Sequence, residues 1–143
     1  MWDSSLPQTF LFACGKEGGF QCHAIEAQLC AYTGSNHGMA LAVIHPSYYR
    51  HIVKDMPERF AQFGRRVFDL DPAGKTTQKL ADEAVEAVAG FAKELGLDSS
   101  FTQLGLKVDE GILRQVSESC GIAGGMPRKL EREEIFQLLC EVL

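Results

Sequence analysis

Apolar residues recur along this chain at three- and four-residue intervals, the period of helices that each bury one face. The longest clean run is Leu80, Ala84, Val88, Phe91 and Leu95; it opens after a capping Thr76 or Thr77 and stops at Gly96. Before it, Phe60, Phe63, Val67 and Phe68 form a second stripe. The lead-in Asp55-Met56-Pro57-Glu58 reads as a capping box with proline in the first turn. Further on, Asp109 caps a helix carrying Ile112, Leu113 and Val116 that stops near Gly121. A last helix, Glu131 to Leu143, carries Ile135, Leu138, Leu139 and Val142.

The first third of the chain follows the same rule with more interruptions. Ser4-Ser5 caps a first helix with Leu6, Phe10, Leu11 and Phe12, which ends at Gly15. Gly15-Lys16-Glu17-Gly18-Gly19 is a connector: no strand precedes it and its glycines fit no phosphate-binding loop. Phe20 to Tyr32 is helical, with Ile25, Leu29 and Tyr32 on one face, and Thr33-Gly34-Ser35 breaks it. Asn36 caps the next helix, which runs from His37 towards Ile44. Pro46 is expected to kink or end it, with Ser47 to Val53 continuing helically. Leu41 to Ile44 also suits a buried strand, but its helical neighbours and short flanks favour helix.

Residues 69–75 and 97–108 read as connectors, the second with a short turn at Phe101 to Leu104; the glycine-rich stretch from Gly121 to Pro127 is mobile by composition. No period-two pattern and no repeat is present. The fold class is therefore all-α: about seven helices, with residues 1–143 forming one domain.

Composition narrows the function classes. A hydrophobic fraction of 45% with 23% charged residues suits a soluble globular chain. The net charge of −5, with no sizeable Lys/Arg cluster, argues against nucleic acid as a partner. No apolar run is long enough for a membrane helix, and the N-terminus lacks the basic start of an export signal. Five cysteines (14, 22, 30, 120 and 140), odd in number and without paired spacing, read as reduced thiols; the expected location is cytoplasmic.

Candidate chemistry concentrates between Cys22 and Pro46, which holds three of the four histidines. A zinc site of Cys22, His23, Cys30 and His37 is poorly supported. His23 and Cys30 share a helix face but lie about 10 Å apart along it, and Cys22 points about 100° away from His23. Small buried thiols are the simpler reading of both cysteines. His23 could pair with His37 or His45 across the turn. Spacing favours neither, and a simple antiparallel hairpin centred on Gly34-Ser35 would bring His23 closer to His45.

At these residues the sequence resembles the C-terminal helical domain of the iron-containing (group III) alcohol dehydrogenases, in particular their butanol-dehydrogenase-like branch. The family pattern is His-x-x-x-His-x-x-(Ser/Gly)-Ala, a short turn, then His-Gly-x-x-x-Ala-x-x-x-Pro. The matching positions are His23, Ala31, His37, Gly38, Ala42 and Pro46, every interval preserved, with Ala27 at the place of the middle histidine. The likeness continues through Pro57-Glu58-Arg59-Phe60-Ala61-Gln62-Phe63, Arg65 to Phe68, Leu95-Gly96-Leu97 and Leu104-Gly105-Leu106.

The resemblance implies an all-helical domain of the dehydroquinate synthase-like kind, with His23 and His37 as ligands of a divalent metal, Fe²⁺ or Zn²⁺. In the family an upstream Asp and His complete the ligand set, and NAD(P) binds a separate α/β domain. Neither that domain's glycine fingerprint nor the upstream ligands occur in these 143 residues. Ala27 stands where the family has its middle, active-site histidine, and Gly19-Phe20 where Asp-Trp is common. No residue here is therefore assigned a catalytic or cofactor-binding role. Two imidazoles leave a divalent ion at least two ligands short of a closed site. Taken alone, the chain is expected to bind metal weakly or not at all, to bind no cofactor, and to be inactive. The rival readings are a helical interaction module that forms homo-oligomers through an exposed apolar face, the one bearing the histidines, and a decayed gene fragment.

Overall fold

The computed structural model describes residues 18–124 and 127–143. The helix expected from Ser4 to Gly15 lies outside them, as do Gly125 and Met126 of the stretch expected to be mobile. The described residues form α1 (Gln21–Thr33), α2 (His37–Ile52), a 3₁₀ turn (Val53–Asp55), α3 (Pro57–Val67), α4 (Thr77–Glu94), α5 (Glu110–Ser119) and α6 (Arg132–Cys140). They contain six α-helices and no strand, so the all-helical reading holds. None of these helices is long and apolar enough to cross a membrane.

Local chemistry sets most of the helix ends. The side chains of Asn36, Thr76 and Asp109 each accept a hydrogen bond from the backbone N–H three residues on, at 3.2, 3.1 and 2.8 Å. Glu131 and Glu134 form a reciprocal capping box at the start of α6. Gly34 closes α1 at φ +67°, a left-handed conformation that a side chain would strain.

Asp55 does not cap α3. The N-cap is Met56, without a side-chain hydrogen bond, because the Asp55 carboxylate accepts from Arg128 Nε at 3.0 Å. Pro46 does not end α2 either; the helix runs through it to Ile52. The proline costs one backbone bond, but its ring is buried in a cleft shared with Ala42, Ala89, Ala92 and Val142. Packing on two sides keeps α2 helical.

The main core lies between α1, α2, α5, α6 and the connector before α5, around Ile25, Leu29, Val43, Ile44, Phe101, Leu113, Ile135 and Leu138. A smaller cluster of Val53, Ala61, Leu80, Ala81 and Val85 joins α3 to α4, with Tyr49 and Phe60 packed against it. α2 touches α1, α4 and α6, and so links the two clusters. Several long-range bonds fasten the N-terminal helices to the C-terminal segment. Gln21 Nε2 donates to the Gly121 carbonyl at 3.0 Å, and Gln21 Oε1 accepts from the Ala123 N–H at 2.7 Å. The buried Ser47 hydroxyl reaches the Leu138 carbonyl at 2.8 Å.

The aromatic stripe on α3 is only partly buried. Phe60 packs against the core, but Phe63 and Val67 are exposed, and the fully buried residues of the helix are Ala61 and Gly64. Small residues there let α4 approach closely. A Cβ on Gly64 would lie 2.8 Å from the Ala84 Cβ and 3.0 Å from Leu70 Cδ1. Leu70 can rotate away, but Ala84 cannot. Gly64→Ala is expected to lower stability by about 1–2 kcal/mol, because overpacking outweighs the gain in helix propensity. Urea unfolding measures this, and a neutral or stabilising change would show that the two helices can move apart.

A charge cluster holds the segment before α6. Arg128 donates to Asp55 at 3.0 Å and to both oxygens of Glu134 at 2.8 and 2.6 Å. The Arg128 hydrogen bonds hold the Glu134 carboxyl down at about 2, against the opposing effect of burial. Its folded pKa is thus below its unfolded value. The linked stability is complete above about pH 4.5 and is lost as pH falls towards 2. Because the pair is partly solvated, its contribution is about 1 kcal/mol. Glu134→Gln should therefore be less stable than the native chain at neutral pH, with the gap closing near pH 2; a gap that persists at low pH would point to lost packing instead.

Candidate metal centre

The site is built where α1 and α2 meet. His23 lies in the first turn of α1, and His37 is the first residue of α2, just beyond the break at residues 34–36. Their ring centroids are 5.5 Å apart. His45, two turns along α2, has its centroid 6.3 Å from that of His23. His23 thus neighbours each of the other two imidazoles and is closer to His37.

The hairpin estimate, which placed His45 nearer, is corrected by one contact. Glu26 lies three residues after His23 on the same face of α1, and His37 Nδ1 is 2.6 Å from its Oε2. That bond draws the start of α2 onto α1 beside His23. The Glu26 side chain is only 2% exposed, whereas that of His37 is 63% exposed. Its other oxygen, Oε1, accepts from Cys30 Sγ at 2.5 Å. Among the described residues no buried side-chain nitrogen or oxygen lacks a hydrogen-bond partner.

Ring spacing tests whether the histidines suit a shared ion. An imidazole nitrogen binds Zn²⁺ at about 2.0–2.1 Å, which places the ring centre about 3.2 Å from the metal. Two such rings at a tetrahedral angle have centroids about 5.3 Å apart. The His23–His37 separation of 5.5 Å fits; the His23–His45 separation of 6.3 Å needs the rings almost opposite each other. His45 also makes its own bond, Nδ1 to the Leu41 carbonyl at 2.9 Å. Burial holds its pKa below the ordinary histidine value, a trend the Leu41 bond opposes and nearby His23 reinforces.

The cysteines do not join the site. Cys22 is buried, and desolvation pushes its thiol well up, away from the thiolate a metal requires. Burial and the Glu26 hydrogen bond likewise raise the Cys30 thiol, so it remains a donor. Cys120 and Cys140 are free thiols too, and Cys14 lies outside the described residues. Among the described residues no group of three or more His, Cys, Asp or Glu side chains is placed to hold a metal ion. Ala27 is exposed, one turn beyond His23.

Spacing alone does not pick out Glu26. The available signal is an acidic residue between Ile25 and Leu29 on a helix that must bury that side. Such a residue needs partners, and His37 and Cys30 are the donors within reach.

Comparison with known proteins agrees with this architecture. The chain is 28% identical over 141 residues to an NADH-dependent butanol dehydrogenase A of Clostridium acetobutylicum, a match covering 96% of this chain and 36% of that protein. A crystal structure of a 1,3-propanediol oxidoreductase superposes with a TM-score of 0.78 at 26% identity, over 86% of this chain and 32% of the other. An NADH-dependent butanol dehydrogenase A from Thermotoga maritima shares the fold, with a TM-score of 0.73 at 22% identity over 87% and 33% of the two chains. The chain thus spans about a third of the length of the relatives it matches. Residues 11–143 match the Fe-containing alcohol dehydrogenase family, C-terminal part, and the chain belongs to that family.

Proposed function

We propose that these 143 residues are the metal-binding part of a divalent-metal- and NAD(P)-dependent alcohol dehydrogenase, with His23 and His37 as two of the metal's ligands. The observation that carries this reading is the 5.5 Å ring spacing, with Nδ1 of His37 engaged by Glu26 and Nε2 left for a ligand bond. Bound Fe²⁺ or Zn²⁺ would polarise the oxygen of an alcohol or aldehyde during hydride exchange with NAD(P). This chain's part is to present two imidazoles from adjoining helices at a fixed separation. The remaining ligands and the nucleotide site have to come from sequence outside these residues, so the chain alone is expected to show no turnover. The methyl group of Ala27 offers no proton where the family pattern has a histidine.

The test supplies the missing part. The chain is mixed with the N-terminal portion of a butanol dehydrogenase, Fe²⁺ or Zn²⁺, and NADH, and aldehyde reduction is followed at 340 nm, the absorbance of NADH. Activity that disappears in His23→Ala and His37→Ala supports the reading. No reduction under any metal condition counts against it.

A second reading, self-association without catalysis, is favoured by the exposed apolar surface on α3 and α4. Phe63, Val67, Phe91 and Leu95 are all exposed there, and Phe68 makes edge contacts with both Phe63 and Phe91. Light scattering at high micromolar concentration distinguishes it: a strictly monomeric chain removes this reading.

A further inference from the structure

A fully buried carboxylate is a poor way to fill a helical core, since a leucine would do so without desolvating a charge. Glu26 is nevertheless buried between Ile25 and Leu29, each of its oxygens given one donor. Cys30 Sγ lies against Oε1 and 3.1 Å from the Ser35 hydroxyl. With the thiol proton given to Oε1, the sulfur can accept from that hydroxyl, which links the carboxylate to the turn that leads into α2. Its other oxygen faces His37 Nδ1 at 2.6 Å.

A neutral imidazole carries one proton on one of its two nitrogens, and the hydrogen bond made by one nitrogen decides what the other can do. A carboxylate oxygen can only accept. It therefore selects the His37 tautomer with the proton on Nδ1, which leaves the lone pair on Nε2. The same bond stops the ring from turning about χ2, although most of the side chain is in solvent.

We propose that Glu26 is a positioning residue, which holds His37 in the Nδ1–H tautomer and at the orientation in which Nε2 can bind a divalent metal, with Cys30 holding the carboxylate in place. The inference rests on His37 being a ligand, and its first measurement does not depend on that. A carboxylate behind a ligating imidazole fixes the ring and raises its basicity, and losing it commonly costs about 10–100-fold in metal affinity.

The experiment begins with the metal-free chain. A two-bond ¹H–¹⁵N correlation spectrum, recorded at about pH 8 where ordinary histidines are neutral, reports which His37 nitrogen carries the proton. Nδ1–H is expected in the native chain and in Glu26→Gln, whose amide oxygen still accepts. A shift towards Nε2–H is expected in Glu26→Leu. A native His37 protonated on Nε2, or a Glu26→Leu spectrum identical to the native one, overturns the proposal. If Glu26→Leu does not fold, the native tautomer decides alone.

Zn²⁺ calorimetry on the same three proteins follows, with a loss of about 10–100-fold expected for Glu26→Leu and a smaller loss for Glu26→Gln. Unchanged affinity in Glu26→Leu overturns the metal part of the proposal. If the chain completed with the N-terminal portion of a butanol dehydrogenase still takes up no Zn²⁺, with Nδ1–H held on His37, that counts against His37 as a ligand and upholds the hydrogen-bond assignment. The two failures are therefore separable.

Discussion

Phe101→Ala is expected to cost about 3–5 kcal/mol, the largest single-residue effect on stability among the described residues. Phe101 lies in the connector between α4 and α5, not on a helix, yet its side chain is fully buried among the α5 and α6 leucines. Its backbone is tied as well: its N–H donates to the Val142 carbonyl at 2.8 Å, and its carbonyl accepts from Leu106 at 3.0 Å. Neighbours held in this way cannot collapse into the space a removed ring leaves, which places the cost towards the upper part of the range. Such a loss corresponds to a fall in melting temperature of roughly 10–15 °C. A drop below about 1 kcal/mol would mean that the connector refolds around the gap.

Ala27→His should have the largest effect on ligand binding. Position 27 is exposed and one helical turn beyond His23, so the new ring is accommodated without disturbing the core. An imidazole there joins His23 and His37 on one surface and raises the number of nitrogen donors from two to three. With the third donor already tethered beside the ion, Zn²⁺ affinity of the chain is expected to rise by about 10²-fold. Calorimetry against the native chain measures the gain. The double variant Ala27→His/His37→Ala should lose most of it; retention would show that the new ring pairs with His23 alone.

Local chemistry made much of the fold legible. The caps at Asn36, Thr76 and Asp109 lie where their side chains can reach the third N–H onward, a property of a few adjacent residues. Tertiary geometry decided the rest. The α3 stripe looked like a buried face, yet Gly64 brings α4 so near that Phe63 is left at the rim. Asp55 had the spacing of a cap, but Arg128, seventy-three residues later, takes its carboxylate. Phe101 has no periodic neighbours to mark it as core, because its burial comes from the last turn of the chain.

For the site, spacing supplied three histidines and no choice among them. The family pattern selected His23 and His37, and their ring separation is compatible with that choice. The selection depends on how two helices cross and on the Glu26–His37 bond, neither of which is encoded in the interval between the residues.

The ties from Gln21 to Gly121 and Ala123, and from Ser47 to Leu138, bear on how the chain is made. Each joins residues about a hundred positions apart, and α1 and α2 find much of their packing in α5 and α6. During synthesis the histidine-bearing hairpin emerges long before the surfaces that support it. At about 5–20 residues per second it waits roughly 5–20 seconds for them. Through that interval its apolar faces are uncovered. Forms cut short after α4 keep the histidines but lose that support, so full-length translation is a precondition for the pair to be held in place.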